Sequence, residues 1–68
     1  MNEDSLNMEI RRFLKKVGIS SQRIIEQSIY NANKDGNIKT GDEIDLEMTL
    51  NIKSLDSKNT ISGKIKID

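Results

Sequence analysis

Val17-Gly18-Ile19-Ser20-Ser21 is the stretch on which the fold turns. Gly18 matches the position just past a helix that takes a left-handed backbone, with Ile19 as the apolar residue that folds back on the last turn. Ser20 then reads as the cap of a second helix, because that choice puts Ile19 before the cap and Ile24 four residues into the helix, the spacing of a hydrophobic staple. Ser21 is nearly as good a cap. The segment is too short for anything but a tight corner.

On the N-terminal side, Leu6, Ile10, Phe13, Leu14 and Val17 fall on one stripe of a helix, with Met8 off it. Glu3 and Asp4 lie where a helix N-terminus favours anions, Ser5 or Asn2 can cap, and Lys15 and Lys16 lie where the C-terminus favours cations. This predicts a first helix over 4–17. Beyond the corner, Ile25, Ile29 and Ala32 continue an inner face with Ile24 beside it, while Gln22, Arg23, Glu26 and Gln27 face out. The pattern fades into Asp35-Gly36-Asn37, which has turn chemistry, so the second helix is expected over 21–33.

From Ile44 the apolar period changes from 3.6 to 2. Ile44, Leu46, Met48, Leu50 and Ile52 alternate with Glu43, Asp45, Glu47, Thr49, Asn51 and Lys53, and after a turn in Ser54–Asn59 the alternation resumes at Ile61, Ile65 and Ile67. Strands are expected over 43–53 and 60–67. Folding them about that turn sets Ile52 opposite Ile61, Leu50 opposite Gly63, Met48 opposite Ile65, Leu46 opposite Ile67 and Glu47 opposite Lys66. Gly63 weakens the strand and is read as a bulge or a place of close helix approach. A lone hairpin is hardly stable in water, so its apolar face is expected on the helices. The fold class is thus α+β, two N-terminal helices in a tight corner followed by an antiparallel β-hairpin in two layers, with residues 1–68 as a single domain. Open strand edges invite a homodimer through the hairpin edge, although the same apolar face serves a closed monomer equally well.

Bulk composition narrows the chemistry. A chain of 68 residues hides only about 60% of the surface that its unfolded form exposes, so stability is marginal. It has no Cys and no His, which removes disulfides, thiolate nucleophiles, imidazole bases and the usual zinc sets. Eleven basic residues balance eleven acidic ones, so no long-range field draws in nucleic acid or an anionic membrane, and nucleic acid is not expected as a partner. The acidic start Met1-Asn2-Glu3-Asp4 is unlike a secretory signal, and no apolar run approaches the roughly 18 residues of a spanning helix. A cytoplasmic protein without membrane or cofactor is expected.

Four local patterns invite a functional reading. The corner from Phe13 to Ile29 has the look of a helix-turn-helix, and Lys53, Lys58, Lys64 and Lys66 could line a wing. The outer face of the second helix offers a single arginine, Arg23, diluted by Glu26, which is thin support for phosphate contacts. Asn31, Asn33, Asp35, Gly36, Asn37, Ile38 and Asp42 fit the spacing of an EF-hand loop of the dockerin variety, but with two carboxylates and a following strand instead of a helix. Turn chemistry explains the same residues. Glu43, Asp45 and Glu47 read as the polar half of an alternating strand rather than as an acid–base set. Phe13 and Tyr30 are too few aromatics for stacking on bases.

Met1-Asn2-Glu3-Asp4, Asn7-Met8 and the run from Ile10-Arg11-Arg12-Phe13-Leu14-Lys15-Lys16-Val17 through Gly18-Ile19-Ser20-Ser21-Gln22-Arg23 resemble the opening of a family of very short uncharacterised bacterial proteins, a domain of unknown function, family 6494. The resemblance covers residues 1–29 by motif and the strands in pattern. It implies a small soluble bacterial protein and carries over no activity or ligand. Capping accounts for Ser21 and for Asn2, but nothing structural accounts for Asn7 or the Arg11-Arg12 pair. Asn7, Arg11, Arg12, Gln22 and Arg23 are therefore the candidate partner-binding residues. The expected function is a non-enzymatic protein interaction or regulatory module, with a helix-turn-helix or winged-helix-like nucleic-acid-binding protein as the alternative. No catalytic residue, metal ligand or cofactor-binding residue is assigned, because no nucleophile, base or metal set can be assembled.

Overall fold

The computed structural model describes all residues, Met1–Asp68, as two units, Met1–Asn37 and Ile38–Asp68. The first unit is one helix, α1, running unbroken over Glu3–Lys34. The expected pair of helices, 4–17 and 21–33, with a corner at Gly18 is thereby corrected: α+β is right, two helices are not. Gly18 has an ordinary helical backbone, and the only glycines with positive φ are Gly36 and Gly41.

The reason is a balance of local terms. A glycine inside a helix costs about 1 kcal/mol relative to alanine. Breaking a helix leaves up to four C=O groups before the break and up to four N–H groups after it, each of which must find a new partner. Continuing through Gly18 is cheaper than building two new ends. It also keeps Val17, Ser21, Ile25, Ile29 and Ala32 three to four residues apart, so the half-buried face runs past the glycine without turning away.

The true ends carry the signals that the corner lacked. Asn2 caps the start, its side-chain oxygen accepting from the Ser5 N–H at 3.1 Å while Glu3 and Asp4 occupy the first turn. At the other end Gly36, with φ 79°, donates to the Asn33 carbonyl at 3.1 Å and Asn37 to the Ala32 carbonyl at 2.8 Å. These paired bonds are a Schellman motif, the left-handed stop expected at Gly18 and found one glycine later.

The second unit is a two-stranded antiparallel hairpin, β1 over Glu43–Ile52 and β2 over Ser57–Lys66. Its register sets Ile44 opposite Ile65, Leu46 opposite Gly63, Met48 opposite Ile61, Thr49 opposite Thr60 and Ile52 opposite Ser57. The expected register is therefore displaced by four residues, and Lys66 faces Glu43 rather than Glu47. The cause is the turn. It is shorter than Ser54–Asn59, a 3₁₀ turn Lys53–Leu55 closed by Asp56 in the left-handed region at φ 50°, with the Asp56 N–H on the Lys53 carbonyl. Because the displacement is even, every side chain keeps the face that alternation assigned to it. Gly63 interrupts nothing: the ladder is continuous there, and no atom lies within 4 Å of where a Cβ would stand.

A turn at Lys39–Asp42 secures the open end of the hairpin. The Asp42 carboxylate accepts from the Lys39 N–H at 3.1 Å, Gly41 donates to the Ile67 carbonyl at 2.7 Å and Ile67 donates to the Asp42 carbonyl at 2.8 Å. No residue of either unit is buried. Val17, Ser21, Ile25, Ile29 and Ala32 on α1, and Ile44, Leu46, Ile65 and Ile67 in the hairpin, are half-buried.

Candidate functional site

A continuous α1 rearranges the residues expected to meet a partner. Eleven residues make three helical turns, so Arg11 and Gln22 fall in one line along the helix, with Asn7 one turn before Arg11, and Arg12 and Arg23 fall in another. Within each pair the separation along the axis is about 16 Å. The structure thus spreads these residues over two rows and does not bring them together at a corner. Arg12 is held by Glu9, Nη1 to Oε1 at 2.8 Å, and Gln22 donates from Nε2 to Oε1 of Glu26 at 2.8 Å. Arg11 and Arg23 form no ion pair.

Loss of the corner also removes the geometry of a helix-turn-helix, since no second helix is set at an angle to a first. The other local patterns resolve in the same way. Asn31 and Asn33 lie in the last turns of α1, with their carbonyls taken up by Asp35 and Gly36, so the Asn31–Asp42 segment does not have the course of an EF-hand loop. Glu43, Asp45 and Glu47 stand exposed on the wet face of β1, where Lys64 lies 3.9 Å from Glu43 and 3.8 Å from Asp45.

What the structure adds is apolar. Leu6 (41% exposed), Ile10 (46%), Phe13 (54%) and Leu14 (53%) form one stripe along the first half of α1, and Ile24 (65%) extends it. Asn7 borders this stripe, Arg11 and Arg23 lie farther round the helix on its two sides, and Arg12 lies farthest from it. The sequence held the signal for it: Leu6, Ile10, Phe13, Val17 and Ile24 are separated by four, three, four and seven residues, the spacing of a helix–helix seam. The same spacing suits the intramolecular two-layer packing expected from the sequence, so period alone does not mark the stripe as open. No helix is long and apolar enough to cross a membrane.

Compared with known proteins, the whole chain, residues 1–68, matches the model described as Family of unknown function (DUF6494), and the chain belongs to that family. Neither the curated proteins nor the solved structures yielded a match.

Proposed function

We propose that this member of a family of unknown function is a non-catalytic protein-interaction module of the bacterial cytoplasm, and that its working surface is the apolar stripe of α1. One observation carries the reading: a helix of 32 residues leaves Leu6, Ile10, Phe13 and Leu14 between 41% and 54% exposed on a single face. A contiguous apolar surface of this kind, bordered by polar residues, is where soluble proteins meet partners. Asn7 on one side and Glu9 and Lys16 on the other form its polar rim, the place where side chains set orientation more than affinity. Both hairpin strands lack an outer neighbour, which offers a further route to association by strand addition. A chain without Cys has no need of an oxidising compartment.

The test is site-specific photocrosslinking in cells, with a photoreactive phenylalanine at Phe13 and, as control, at Lys15. Lys15 is exposed and lies on the opposite side of the helix from the stripe. A protein adduct formed from position 13 and absent or much weaker from position 15 supports the reading. Equal labelling from both positions, or none from either, overturns it.

A further inference from the structure

The stripe has a specific occupant. Its apolar residues repeat as a heptad along one helix, and the charges that flank them complement a second copy of the same helix. We propose that a second copy of this chain covers the stripe, the two α1 helices crossing antiparallel through their first halves. This rests on the reading of the stripe as an interface.

The orientation follows from which residues each arrangement brings together. On the seam Ile10, Val17 and Ile24 take the a positions and Leu6, Phe13 and Ser20 the d positions, with Glu9 and Lys16 at g and Leu14 and Ser21 at e. An antiparallel pair in the register that packs Ile10 on the second copy's Phe13 also packs Leu6 on its Val17, and sets Leu14 beside its Asn7. The same register brings Glu9 to Lys16 of the second copy, twice by symmetry. Leu6, Ile10, Phe13 and Val17 are then covered, and an oppositely charged pair flanks them along one side. A parallel pair packs Ser20 on Ser20, lays Glu9 against Leu14, and leaves Lys16 and Arg23 facing Ser21 and Ser28. Charge decides for the antiparallel arrangement, since these g and e positions give a parallel pair no contact between opposite charges.

Sedimentation equilibrium of the full chain, with circular dichroism to confirm retained helix, tests this. The expected mass for the natural sequence is twice 7.7 kDa. Glu9→Lys puts lysine against Lys16, and Lys16→Glu puts glutamate against Glu9; each reversal alone is expected to raise the dimer dissociation constant roughly tenfold. An equimolar mixture of the two variants restores both ion pairs, and so restores association. Glu9→Lys also removes the Glu9–Arg12 pair within the chain, but Lys16→Glu does not, so the rescue is readable from both sides. A monomeric mass, a dimer indifferent to both reversals as strand-edge pairing would give, or a mixture no stronger than its components each overturns the proposal. A monomeric chain that still crosslinks from position 13 to a protein of another mass defeats the second copy while leaving the interface standing. A monomeric chain with no such adduct defeats both.

Discussion

Asn37 donates its backbone N–H to the carbonyl of Ala32 at 2.8 Å, and Gly36 between them takes φ 79°. This pairing, and not the glycine eighteen residues earlier, is where the helix stops. The difference has opposite consequences at the two positions. Gly18→Ala, which meets nothing within 4 Å, is expected to raise helical stability by about 0.5–1 kcal/mol. Gly36→Ala forces a left-handed backbone on a residue with a Cβ and is expected to cost about 1–2 kcal/mol. Thermal melts followed by far-ultraviolet circular dichroism at one fixed chain concentration decide it. A destabilising Gly18→Ala would restore the corner.

The start of the helix depends on one side chain. Asn2→Ala removes the acceptor for the Ser5 N–H and is expected to cost about 1 kcal/mol, visible as fraying of the first turn. Asn2→Ser keeps an oxygen at the cap and should lose only a small part of that. Amide hydrogen exchange at Ser5 and Leu6 is the direct measurement.

In the hairpin, Met48 stands opposite Ile61 and not Ile65. A double-mutant cycle of Met48→Ala and Ile61→Ala is expected to show a coupling of about 0.2–1 kcal/mol, while the cycle of Met48→Ala with Ile65→Ala should be close to additive. Strong coupling only in the second cycle would favour the register with the longer turn.

Asp56 holds the hairpin turn in the left-handed region at φ 50°. Asp56→Gly relieves that backbone and is expected to be neutral or stabilising, whereas Asp56→Val, a β-branched residue in the same region, should cost at least about 1–2 kcal/mol. Chemical shifts along both strands would report the loss of pairing next to the turn.

The Lys64 ion pairs with Glu43 and Asp45 are long and exposed. Lys64→Ala is accordingly expected to change stability by less than about 0.5 kcal/mol, and added salt should not alter that result measurably. A larger loss in a denaturant titration would mean that Lys64 is held by more than these two carboxylates.

Sequence alone determined what depends on period and on immediate neighbours: the apolar faces of helix and strands, the acidic first turn with Asn2 as one of two candidate caps, the turn at Asp35-Gly36-Asn37, and the change from a 3.6 to a 2 rhythm before Ile44. It was silent wherever two arrangements share one period. Registers that differ by four residues put the same side chains on the same face, so alternation could not separate Met48–Ile61 from Met48–Ile65, and the conformation of four turn residues decided it. Gly18-Ile19-Ser20 supplied real stop and start signals, but their small local free energies lost to the many hydrogen bonds of an unbroken helix. The polar residues chosen as partner contacts were legible by type, and only the straight helix showed that they fall in two rows. That Leu6, Ile10, Phe13 and Leu14 stay open to water is a property of three-dimensional structure alone, since hydrophobic spacing says that a face must be covered and not by what.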